Sequence, residues 1–204
     1  MRWTTIAMSC VIAIGVALIT IALTRDSIGA DKGGYSIGDR LPQSPGAAPA
    51  AATNVKEINW EALTPANWNP MKTFNAMNLG AMSDGDPRAQ KALEQLREAW
   101  NNAPVHSALN GTRIRIAGFV VPLDGQRGQV SEFLLVPYFG ACIHTPPPPS
   151  NQIIHVNTAQ PLKGETASDA VWVSGVLETV RSETGMGNAG YRMKAETIVP
   201  YRKP

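Results

Sequence analysis

The sequence predicts a mainly β domain of the α+β class: a small five-stranded OB-like barrel, or a curled antiparallel sheet, with one covering helix, behind an N-terminal membrane segment. Three observations point there. Short runs rich in β-branched residues follow one another from Thr112 to Val199, and two of them carry a glycine in mid-run. Only Asp86–Asn102 repeats its apolar residues at helical spacing. Strands that are short and bent close most readily into a small barrel.

Residues 1–25 form the first unit. From Ile6 to Leu23 the chain runs 18 residues without a charge, flanked by Arg2 on one side and by Arg25 and Asp26 on the other. As a helix this stretch covers roughly 27 Å, close to the hydrocarbon thickness of a bilayer. It shows no polar face, so a buried core helix is a poorer reading. The run is longer than a signal-peptide core, and Ile28-Gly29-Ala30 puts a branched residue where cleavage wants a small one. An uncleaved anchor in a bacterial inner membrane is therefore expected, or a periplasmic protein if cleavage does occur. Arg2 favours a cytoplasmic N-terminus with the rest of the chain outside.

Residues 26–54 read as a disordered Gly/Ala/Pro-rich linker, stiffened at Pro42, Pro45 and Pro49, because few large side chains are available to bury. Residues 55–204 make the folded domain. In its first part Trp60, Leu63 and Trp68 look like anchors that pin an irregular arm to the domain. Asp86 is a suitable N-cap and Pro87 a suitable first residue for a helix whose apolar face is Ala89, Ala92, Leu93, Leu96 and Trp100. Five strands are expected at 112–121, 130–138, 152–157, 170–180 and 191–199. Gly-rich turns at 125–128 and 185–190 separate several of them, and Gly118 and Gly175 mark bends or bulges.

Beyond Arg25 sixteen basic residues face sixteen acidic ones. That balance implies no polyanion partner and argues against nucleic-acid binding. No phosphate-binding glycine loop, paired-carboxylate signature or nucleophile elbow is present.

The unusual stretch is PYFGACIHTPPPPSNQIIHV, 137–156. Outside the apolar segment Cys142 is the only cysteine, and a lone thiol in an oxidising compartment must be buried, metal-bound or used. Cys142 and His144, two apart, would share a face of an extended backbone, and thiolate plus imidazole suits zinc or another divalent or soft metal. His155 is a candidate third ligand, and His106 could complete a site in space. Pro146, Pro147, Pro148 and Pro149 form a stiff polyproline rod that holds the pair or serves as a contact surface itself. Tyr138 and Phe139 shape the loop wall; Asn151 and Gln152 add amides. Three readings stay open: metal binding, a structural role, and a thiol enzyme using Cys142 as nucleophile.

The run GFVVPLDG followed by EFLLVPYFGACIHTPPPPSNQI, with Trp60, Leu63, Pro65 and Trp68 and the entry LNGTRIRIAGF, resembles domain of unknown function family 3299 over roughly 58–200. Cys142, His144, Pro146–Pro149, Asn151 and Gln152 match the family string, whereas an aromatic or aliphatic residue is expected as readily at His155. The resemblance implies an exported bacterial protein, in some cases encoded beside ABC-transporter components linked with metal uptake. The partners expected are thus the inner membrane and an ABC transporter or other envelope protein.

Overall fold

In the computed structural model, the residues described are 34–42, 54–69, 85–124, 129–163, 170–202. The apolar segment 6–23, most of the 26–54 linker and the 125–128 turn lie outside them. Among the described residues no helix is long and apolar enough to cross a membrane.

The elements run β1 (Lys56–Glu57), α1 (Pro87–Asn101), β2 (Thr112–Pro122), β3 (Gln129–Val136), β4 (Ile154–Lys163), β5 (Ala170–Glu178), β6 (Ser182–Thr184), β7 (Gly187–Ala189) and β8 (Tyr191–Pro200). Sheet order is β1-β2-β3-β4-β8-β5, and a further β2–β5 pairing closes the five long strands into a barrel. The β4–β8 pair is parallel and the other barrel pairs are antiparallel. This is OB connectivity, with β1 added alongside β2.

Alternation along β2 explains the barrel's interior. Ile114, Ile116 and Val120 point in, where they meet Phe133, Leu135, Ile154, Val156, Val171, Val173, Tyr191 and Met193. Arg113 and Arg115 point out, Arg113 onto Glu196 and Arg115 over the Trp172 ring at 4.2 Å. From Ala117 to Val121 both faces of β2 are buried. The cause is a second apolar cluster on the barrel's outer surface, which joins Phe119, Val121, Leu134, Val136, Ile153 and Trp172 to Leu41.

Leu41 belongs to a stretch expected to be disordered, and here the expectation is corrected. Residues 34–42 form an ordered arm: Gly38 N–H donates to Phe139 O and Phe139 N–H to Asp39 O, each at 2.9 Å. Leu41 is 4% exposed. Tyr35, Phe119 and Phe139 stack edge-on or tilted at 5.1–6.1 Å beside it. A single well-seated leucine and a ring cluster supply the burial that the Gly/Pro-rich composition lacks.

Both strand glycines have physical work. At Gly118 an added Cβ would stand 2.8 Å from Leu135 Cγ and from Trp60 Cζ2. At Gly175 it would meet the Lys194 carbonyl, where the β5–β8 register shifts between Ser174 and Gly175. The 185–190 segment is more than a turn, because Gly187–Ala189 pairs back onto Ser182–Thr184 as a small hairpin. The third expected strand starts later, at Ile154; residues 150–152 form a single 3-10 turn instead.

Helix α1 starts as expected. The Asp86 carboxylate caps Arg88 N–H at 2.8 Å with Pro87 following, and Ala89, Ala92 and Leu96 are buried. Leu93 is different: it is 50% exposed.

Candidate functional site

The loop before the prolines folds back onto one atom. The Gly140 carbonyl accepts from the N–H groups of Ile143, His144 and Thr145 at 3.3, 2.8 and 3.1 Å. To make this turn Gly140 takes φ 81° and Cys142 φ 65°, left-handed values that suit glycine and are uncommon for cysteine. The extended geometry that would set Cys142 and His144 on one face is thus replaced by a turn. Cys142 is half-buried against the outer apolar cluster, and burial pushes its thiol up to about 11. His144 is exposed.

The other candidate ligands have partners of their own. His155 is 8% exposed on β4, and its Nε2–H donates to Glu132 Oε1 at 2.7 Å; its Nδ1 is buried without a partner. His106 Nδ1–H donates to Ala62 O at 3.0 Å. Among the described residues no three His, Cys, Asp or Glu side chains are grouped so as to hold a metal ion. The set assembled from sequence spacing is therefore not brought together, and His155 in particular serves Glu132.

Asn151 and Gln152 are fasteners. Gln152 Nε2–H donates to Trp60 O at 2.8 Å and to Thr64 Oγ1 at 2.9 Å, so it grips both ends of the 3-10 turn Trp60–Leu63. Asn151, fully buried, donates from Nδ2 to Pro104 O at 2.9 Å. Tyr191, also fully buried, donates its hydroxyl proton to Leu63 O and accepts from His106 N–H at 2.6 Å. Tyr191→Phe leaves both of those backbone groups unsatisfied, and is expected to cost about 1–3 kcal/mol in urea unfolding. A loss within experimental error would show that the Trp60–Leu63 turn is not fastened here.

What these contacts support is a ridge. Pro146 and Pro147 are exposed, Pro148 is buried, and Tyr138 donates its hydroxyl to Pro146 O at 3.3 Å. Beyond the ridge the hairpin approaches, with the Cβ of Pro147 3.3 Å from where a side chain on Gly187 would begin. A cleft opens on each side. One, of about 540 Å³, lies between the ridge and the arm and is walled by Trp68, Trp100, Tyr138, Pro148, Pro149 and Arg40. The other, of about 500 Å³, lies between the ridge, α1 and the hairpin, with Leu93, Leu96, Trp100, Arg97, Met186 and Pro146–Pro148 at its walls. Trp100 and Pro148 serve both. Arg40 sits 5.7 Å over the Tyr138 ring.

Phe139 lies in the ring cluster under the 34–42 arm rather than in either cleft. Sequence reasoning missed Leu93, Met186, Arg40 and Glu132 as site residues. A signal existed for Leu93, since the apolar stripe of α1 is wider than its buried face. For Glu132 the signal is a charge directly before the apolar run FLLV in the strand VSEFLLV.

The chain matches, over residues 60–200, the family model described as a protein of unknown function, DUF3299. It belongs to the DUF3299 family. A crystal structure at 2.45 Å resolution of a DUF3299 family protein from Pseudomonas aeruginosa PAO1 is similar to it, with 36% sequence identity and a TM-score of 0.58. That similarity covers 74% of this chain and 98% of the other. No curated protein matches the chain. The DUF3299 match contains the ridge, α1, the hairpin and the fastening residues; Arg40 and the ordered arm precede it.

Proposed function

We propose that this DUF3299 protein is an exported accessory protein, tethered at the inner membrane, whose proline ridge and two flanking clefts dock a segment of an envelope protein. The observation that carries this is the shared wall: Trp100 and Pro148 line both clefts, so one stiff, pinned element presents two apolar–aromatic grooves. Prolines and aromatic rings lose little conformational freedom on binding, and aromatic-lined grooves accept extended, proline-rich segments. A transporter component is the partner that the family resemblance suggests.

The metal-assisted version is less well supported. A thiol raised by burial binds zinc only after giving up its proton, and each histidine that would join it, His106 or His155, is engaged elsewhere. The concavity across β3, β4, β8 and the end of β5, which includes the strands where OB barrels often hold nucleic acid, mixes Asp124, Glu132 and Glu178 with Arg192 and Lys194 and is not a cationic surface.

The test is capture from detergent-solubilised envelopes by the full chain. Pro146→Ala/Pro147→Ala and Leu93→Asp are each expected to weaken capture at least about tenfold while leaving the melting temperature within about 3 °C. EDTA is expected to leave capture unchanged. Capture that survives both variants would overturn the docking reading, and capture abolished by EDTA and restored by zinc would return the site to metal binding.

A further inference from the structure

We propose that the exposed patch of Ile37 and Ile143 rests on the lipid surface of the anchoring membrane, so that the clefts open beside the bilayer; this rests on the tethered reading above. Ile37 is 51% and Ile143 55% exposed, where the barrel otherwise keeps its large apolar side chains covered with few exceptions. Both flank Gly140: Ile37 packs over it, with its Cγ2 3.3 Å from the position of an added Cβ, and the Ile143 N–H donates to the Gly140 carbonyl at 3.3 Å. The frame beneath is rigid: the Gly38–Phe139 and Phe139–Asp39 backbone bonds, and the Tyr35–Phe119–Phe139 rings, hold arm and loop together. Isoleucines mounted on a fixed frame lose little freedom when they enter an interface.

Chain length favours lipid as the occupant. Only residues 24–33 separate Leu23, the end of the uncharged run, from Gly34, the start of the ordered arm. Whatever conformation those residues take, their reach is at most about 35 Å, roughly the width of a small domain. The arm that carries Ile37 is therefore the part of the barrel with the least chain between it and the bilayer. Two isoleucines bind a membrane weakly by themselves, but attachment to the same membrane supplies a high effective concentration. Arg40 and Asp39 stand together on the arm, so little net charge contributes and the contact is expected to persist in high salt. Arg40 and Tyr138 also line the arm-side cleft, which places that cleft at the edge of the patch.

The experiment uses the full chain in phosphatidylcholine/phosphatidylglycerol vesicles, with Cys10→Ala and Cys142→Ala and one fluorophore-labelled cysteine. The label is placed through Ile37→Cys, Ile143→Cys, or, as reference, Glu178→Cys at the opposite end of β5 from Ala170, which pairs with Phe119 under the patch. Spin-labelled lipid is expected to quench positions 37 and 143 about threefold or more strongly than position 178. Equal quenching at all three, in chain that floats with the vesicles, overturns the patch and leaves the tether standing. Chain that does not float overturns the tether and the patch together. In the cysteine-intact chain, Ile37→Asp/Ile143→Asp is expected to speed amide exchange of 140–145 severalfold in vesicles, with 170–178 unchanged as the fold control; unaltered exchange at 140–145 counts against the patch.

Discussion

Trp60→Ala is expected to remove about 3–5 kcal/mol from the unfolding free energy, the largest single effect in the domain. The ring is 2% exposed and lies in the barrel's interior cluster, and its Nε1–H donates to Ala117 O at 2.7 Å. Gly118 is the matching concession on β2: its missing side chain is the space that Trp60 Cζ2 and Leu135 fill. Truncating the ring therefore opens a cavity and leaves a buried carbonyl unsatisfied at once. Because Gln152 and Tyr191 bond the same 3-10 turn, the loss extends to the base of the proline ridge. Urea unfolding measures it directly. A change below about 1 kcal/mol would mean that the Trp60–Leu63 turn is an ornament and not part of the core.

The Cys142 thiol is expected to react with iodoacetamide at pH 8 about 100-fold more slowly than an ordinary cysteine, with a rate midpoint near pH 11. Burial causes this, because the thiolate would lose hydration against the outer apolar cluster. The same shift has a sign for stability. The folded state holds the proton more tightly than the unfolded chain, so its contribution is complete below about pH 9 and is lost as pH rises toward 11. Fast alkylation with a midpoint below pH 8 would overturn this and revive the thiol-enzyme reading.

The barrel was legible because alternation is a local property. TRIRIAGFVV carries its inward set at every second residue, and DPRAQKALEQLREAW carries a cap, a proline and a helical stripe within one segment. What failed to show were features made by distant pairings. The arm 34–42 has the composition of a linker, and only the groove that receives Leu41 makes it ordered. The second half of β2 is buried on both faces because that arm and the 139–142 loop cover it. Two residues apart on a strand share a face, but Gly140 and Cys142 adopt positive φ, and the pair sits on a turn. The string Asn151-Gln152 looked like ligand chemistry, yet its amides satisfy carbonyls 47 to 92 residues away. The clefts join α1, the ridge and the hairpin, three segments whose meeting no local pattern announces.

The proline ridge as a docking surface is tested most directly by a photo-activated cross-linking residue placed in the full chain within native envelopes. At position 93 or 147, beside the ridge, it is expected to yield one discrete protein adduct; at position 194, on β8 in the mixed-charge concavity, it is expected to yield none. No adduct at 93 and 147, or the same adducts at all three positions, would contradict the account.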